Sequence, residues 1–182
     1  MEMKRIREAL PPDSYYISFD CSNSRIVQRC YIEDVDDVLL GKPSARVEDE
    51  PAATTSLFNL IYNNDANGSI SLYSNRTKKI LCVCNHIEED PTFKYYQNVT
   101  TEFNLEDCSN NSCGCAKFEV RIDEVAYLSV GRKIVVLTLQ DVDNWKFMRI
   151  ESFVEKSAVA DLQWKIHRGA ILFYFEPVNR LN

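Results

Sequence analysis

A chain of 182 residues is the length of one domain, and 45% hydrophobic against 26% charged residues suffices for a packed core. Acids outnumber bases by 27 to 21, a net charge of −6, and no dense basic run exists to grip phosphates by counterion release. The longest apolar stretch, Ile134 to Leu139, is too short for a membrane-spanning helix.

Nine tyrosines and nine phenylalanines against five glycines suit pleated sheets, where rings pack on a half-buried surface. Met1 to Leu10 carries helix formers with Ile6 and Leu10 one turn apart, and Pro11-Pro12 stops the helix because proline cannot continue it. Tyr15, Ile17 and Phe19 then alternate with Tyr16 and Ser18, Cys21 to Ser24 supplies a turn, and Arg25 to Ile32 returns as a second strand. Residues 1–32 thus read as a hairpin that could form an N-terminal arm. From Glu33 the pattern breaks: acids, Gly41, Pro43, Pro51 and small residues predict a mobile loop over 33–54. Leu57, Phe58, Leu60 and Ile61 are spaced for a short helix.

Ile70 and Leu72, the Ser74–Thr77 turn and Lys79 to Asn85 predict another hairpin, and Phe93 to Phe103 is aromatic, Thr-rich and extended. Phe118, Val120 and Ile122 alternate with Glu119, Arg121 and Asp123, the mark of a half-buried strand. Ile134 to Leu139 is apolar on both faces, as in a strand at the centre of a sheet. Asp141 to Asn144 turns the chain into Phe147–Val154. Leu162, Trp164 and Ile166 then face one way, His167 to Gly169 turns, and Ile171, Phe173 and Phe175 answer before Pro177 closes the run. The whole predicts a single mostly-β domain over 1–182: an antiparallel sandwich or barrel of about nine strands with one or two short helices.

The arrangement that stands above background is cysteine. Cys82-Val-Cys84 places two sulfurs on one face of a strand, because residues i and i+2 project together, and Cys113-Gly-Cys115 sits just before another strand, with Gly114 easing a tight knuckle. If those strands pair, Cys82, Cys84, Cys113 and Cys115 could converge on zinc, with His86 and Cys108 nearby in sequence. Zinc ribbons normally use a two-residue gap, and a buried cysteine is an ordinary small hydrophobe, so packing is the favoured reading and no cofactor is expected. Cys21 and Cys30 face each other across the first hairpin and could bridge in an oxidising compartment.

No catalytic set emerges. There are two histidines, His86 in an acidic turn and His167 at a hairpin tip, and no glycine-flanked nucleophile, phosphate cradle or H-E-x-x-H. Glu119 and Asp123 fit a solvated strand face better than a general acid or metal site, and Glu124 has no stronger case. The chain reads as a non-enzyme.

Aromatics and bases interleave in the last third, and Trp145, Lys146, Arg149, Lys165 and Arg168 could stack and neutralise single-stranded nucleic acid on a small barrel. The acidic pI of 5.0 favours core packing and cross-strand pairing for those rings instead. The expectation is a protein–protein interaction module, an adaptor or complex subunit whose partner is another protein, with the nucleic-acid-binding barrel as alternative. The opening residues show no apolar leader, so an intracellular location, cytoplasmic or nuclear, is expected, with no membrane partner. A secreted, disulfide-containing binding protein is the further alternative, supported by seven cysteines and by sequons at Asn67, Asn75, Asn98 and Asn110.

Overall fold

The computed structural model describes residues 2–20, 29–43, 57–64, 68–84, 97–104, 106, 113–127, 133–143, 145–150, 158–161 and 172–178. Helix α1 (Glu2–Ala9) leads into β1 (Ser14–Asp20), β2 (Arg29–Val35), β3 (Val38–Pro43), β4 (Phe58–Tyr62), β5 (Ile70–Ser74) and β6 (Lys79–Cys84). Then follow β7 (Gln97–Asn104), β8 (Cys113–Cys115), β9 (Phe118–Tyr127), β10 (Lys133–Asp141), β11 (Phe147–Ile150), β12 (Ala158–Asp161) and β13 (Phe173–Pro177).

Nine of these strands close into an antiparallel barrel. Its order is β7–β3–β2–β1–β13–β10–β9–β5–β6 and back to β7. β4 splices β1 to β5, the β11–β12 hairpin spans from β10 to β7, and β8 lies along β6. Some joints of the ring are long, such as β9–β10 from Lys133↔Tyr127 to Asp141↔Phe118. Three meet at one register pair each: Val38↔Thr100, Tyr73↔Ile80 and Ile70↔Phe118.

Strand alternation explains the core. Tyr15, Ile17 and Phe19 point inward from β1, Phe58 and Leu60 from β4, Phe173 and Phe175 from β13, and all are buried. Phe19 meets Phe173 edge-on with centroids 6.4 Å apart, and Tyr15 tilts against Phe175 at 5.6 Å, geometries that aromatic quadrupoles prefer. β10 is buried on both faces, Val135, Leu137 and Leu139 on one and Ile134 and Val136 on the other, as its sequence requires. A β-bulge at Asp123 shifts the β9 register between Val136↔Glu124 and Leu137↔Ile122, leaving Glu119, Asp123 and Glu124 in solvent.

Helix α1 is followed by Leu10, which is fully buried, with Ile6 packed on the same cluster. Three side chains anchor the carbonyls that the helix end leaves unpaired. Tyr62 donates to Leu10 O at 2.6 Å, Tyr15 to Pro11 O at 2.5 Å, and the Lys133 ammonium to Ala9 O at 3.1 Å, favourable for a cation at a helix C-terminus.

Three local expectations are corrected. The stretch read as a loop from Glu33 is a hairpin as far as Pro43, and residues 44–56 lie outside the described residues. Its two-residue turn puts Asp36 at φ 49° and Asp37 at φ 68°, a left-handed pair that aspartate tolerates better than most residues. β1 and β2 are staves of the ring, so residues 1–32 do not stand apart as an arm. Leu57–Ile61 is not helical: its apolar residues satisfy either period, and pairing with β5 from Phe58↔Ser74 to Tyr62↔Ile70 selects the strand.

Candidate functional site

The two C-x-C segments do meet. β6 and β8 pair with Cys82 opposite Cys115, Val83 opposite Gly114 and Cys84 opposite Cys113. Ala116 N donates to Leu81 O at 2.9 Å, which makes Leu81–Ala116 a hydrogen-bonded pair of this ladder. Alternation along an antiparallel ladder then makes Val83–Gly114 the next such pair and both cysteine pairs non-hydrogen-bonded. The two cysteine pairs are therefore successive non-hydrogen-bonded rungs of the β6–β8 ladder.

Leu81 and Val83 belong to the main core, whereas Ile80 and Cys82 form a separate buried cluster with Tyr73 and Phe103. Cys82 thus lies on the face of β6 opposite the barrel core. Cys82 carries a free thiol, fully buried, within 3.6 Å of Ile80 O. Burial, and secondarily the Glu102 carboxylate, pushes this thiol up to about 11, so it is protonated at neutral pH. Cys30 is disulfide-bonded. Cys21, Cys108, His86 and His167 lie outside the described residues, and those residues contain no group of three or more His, Cys, Asp or Glu side chains that could hold a metal.

Of the aromatic–basic set, Lys165, Arg168 and Trp164 also lie outside the described residues. Arg149 falls on β11, opposite Val159. Trp145 and Lys146 are at the β10–β11 turn, and Trp145 is distinctive: its backbone is left-handed, φ 61°, and its side chain is 68% exposed. The turn is well tied, with Trp145 N donating to Asp141 O at 2.8 Å, Gln140 Nε2 to Trp145 O at 3.0 Å and Asp141 N to Lys146 O at 2.8 Å. A bulky residue at positive φ is an outlier that the surrounding bonds must enforce. The Asp141–Asn144 turn was legible in the sequence; the backbone state of Trp145 had no sequence signal.

A polar cluster that sequence reasoning missed lies at the β2–β3 turn. Asp34, almost wholly buried, accepts from Thr77 Oγ1 at 2.8 Å and from Thr101 Oγ1, while Arg76 donates to its backbone carbonyl at 2.7 Å. Lys79 donates to Asp37, and this bond, ahead of the surrounding carboxylates, raises its ammonium's pKa. Asp34, Asp36, Asp37, Arg76, Thr77 and Lys79 line an open cleft of about 440 Å³. Its polar groups largely bond one another, tying the β2–β3 turn to β7 and to the β5–β6 turn, so the cluster acts as a polar staple. Comparison with protein-family models and with curated proteins gave no match.

Proposed function

We propose that this barrel is a non-enzymatic protein-interaction module that docks through the end bearing the β10–β11 turn. The observation that supports this is Trp145, held at positive φ with most of its indole in water. Tryptophan is enriched among residues that dominate binding energy, and backbone strain concentrates at binding and switch positions. Leu172, 37% exposed, precedes Phe173, whose partner on β10 is Leu137, so it adds apolar surface toward the same end. The net charge of −6 argues for a protein partner over a polyanion.

The test is a binding comparison. A partner recovered with the full chain should bind it directly when purified, and should lose at least about tenfold in affinity to Trp145→Ala, the least expected of a residue contributing more than 1.4 kcal/mol. Unchanged affinity would remove Trp145 from the interface. Salt-sensitive binding of single-stranded oligonucleotides, abolished by the same substitution, would instead support the nucleic-acid reading.

The disulfide at Cys30 favours a second reading of compartment, a secreted binding protein in an oxidising environment. Asn75, the first residue of a sequon, is exposed in the β5–β6 turn and accessible to a glycan. Among the described residues no helix is long and apolar enough to cross a membrane. Glycosidase-sensitive mobility of the protein expressed in a secretory host supports this reading; unmodified Asn75 in that host weakens it.

A further inference from the structure

We propose that Cys82 and Cys115 are a site of covalent modification, an oxidisable thiol pair whose disulfide seals the barrel wall between β6 and β9. The argument starts from register. A non-hydrogen-bonded antiparallel pair brings Cα atoms to about 4.5 Å, inside the span of about 4.4–6.8 Å that disulfides use. Cys82↔Cys115 is such a pair, and so is Cys84↔Cys113 beside it.

Position in the wall gives the link its consequence. β8 and β9 are separated by Ala116 and Lys117 alone, so one stretch of chain, 113–127, lies against β6 at its start and β10 along the rest. The neighbouring route from β9 to β6 runs through β5 and rests on the single pairs Ile70↔Phe118 and Tyr73↔Ile80. The β6–β8 ladder therefore spans the thinnest part of the wall, and a covalent rung there prevents its opening.

Charge selects a disulfide over zinc at this position. Four thiolates around a divalent cation leave a net charge of about −2. The described surroundings of Cys82 are Ile80, Tyr73 and Phe103, with the Glu102 carboxylate adding negative potential. A neutral disulfide carries no such penalty. The chain already holds a disulfide at Cys30.

The chemistry is thiol–disulfide exchange with a small-molecule disulfide, RSSR. One protein thiol, as thiolate, attacks RSSR, forming a mixed disulfide and expelling RS⁻. The second protein thiol, deprotonated in turn, attacks the protein sulfur of that mixed disulfide and expels the second RS⁻. Two electrons pass to the reagent, the two thiol protons end on two RSH, and one S–S bond joins Cys82 to Cys115. Cys82, buried and protonated, suits the second step, which leaves the first to its partner.

The test equilibrates the full chain with mixtures of reduced and oxidised glutathione, blocks free thiols with iodoacetamide and maps peptides without reduction. Because Cys82 and Cys84 fall in one tryptic peptide and Cys108, Cys113 and Cys115 in another, the mapping is repeated in a Cys84→Ser/Cys108→Ser/Cys113→Ser background. Expected is a progressive loss of alkylated Cys82 as the oxidised fraction rises, matched by a Cys82–Cys115 cross-linked peptide, with unfolding shifted to higher denaturant. Cys82→Ser and Cys115→Ser should each abolish the shift. Cys82 recovered alkylated at every ratio, Cys115 joined to another cysteine, or one retained equivalent of zinc that blocks alkylation would each overturn the proposal. Fragment ions of the cross-linked peptide from unsubstituted protein assign the bonded sulfurs, which decides it even if a variant fails to fold.

Discussion

Trp145 combines two unfavourable states, a left-handed backbone and an indole in water, and the isolated chain recovers neither. Trp145→Gly should therefore raise stability by about 1 kcal/mol, read as a higher urea midpoint, because glycine occupies positive φ without the side-chain clash. A lower midpoint would mean that the indole packs against the barrel and anchors nothing outside it. Asp34 is the opposite case, a buried carboxylate whose hydrogen bonds tie β2 to β7 and to the β5–β6 turn. Asp34→Ala should cost on the order of 3 kcal/mol in denaturant unfolding, since the Thr77 and Thr101 hydroxyls lose a charged acceptor. A cost near zero would mean that water replaces it without penalty. Neither behaviour was legible at this scale. An Asp in an acidic run carries no mark of burial, and a Trp beside a turn carries no mark of its φ.

Among the elements, β10 is the one whose sequence left least freedom. Its residues 134–139 are all β-branched or leucine and all apolar save Thr138, which fits a strand covered on both sides, and Val135, Leu137 and Leu139 are fully buried. Leu137→Ala should cost about 2–5 kcal/mol, measured by denaturant unfolding, because the cavity it leaves is walled by neighbouring strands. The hairpin β1–β2, the turn between β5 and β6 and the alternation of β9 were equally legible, each set by period-two patterning with a turn at its end. β3 and β4 were not. Gly41 and the Asp36-Asp37 pair resemble loop chemistry until their neighbours supply hydrogen bonds, and Phe58–Ile61 is a strand because β5 and β1 are there to pair with it. The cysteine rungs were half legible: spacing gave Cys82 and Cys84 a shared face, but only pairing put Cys82 opposite Cys115.

For the whole molecule, three tyrosines set the response to alkali. Burial, ahead of the charges of Tyr62 and Asp13, holds the Tyr15 phenol well above its ordinary range. Burial pushes Tyr62 up to about 12 against the opposing Arg7 charge, and burial followed by its hydrogen bond to Asp20 pushes Tyr174 up to about 12. A phenol near 10 in the unfolded chain keeps its proton more tightly when folded, so folding is favoured in full below about pH 10. That contribution is lost as pH rises through about 12, the folded value for Tyr62 and Tyr174. The urea midpoint should fall across that window, with phenolate absorbance appearing as the barrel opens. A midpoint independent of pH there would mean that the phenols stay in water. That the chain is mostly β, a sandwich or barrel, followed from composition and pattern; the choice of a closed ring did not, since joints such as β1–β13 and β3–β7 pair strands distant in sequence.

Closure of the ring by nine strands has a consequence of parity. Neighbours that run antiparallel must alternate up and down, and an odd number cannot alternate all the way round. Every joint among the described residues is antiparallel, so the mismatch falls where neighbouring strands share little of their length. The three joints with one register pair each, β3–β7, β5–β6 and β5–β9, are such places. Local opening follows the weakest hydrogen-bonded joints, so amides flanking Val38, Ile70 and Tyr73 should exchange with solvent earlier than those along β9 and β10. Uniform protection around the ring would show that these joints are as firm as the staves. A barrel of this count is a coil with a fold line in it, and the fold line is where the chain first comes apart.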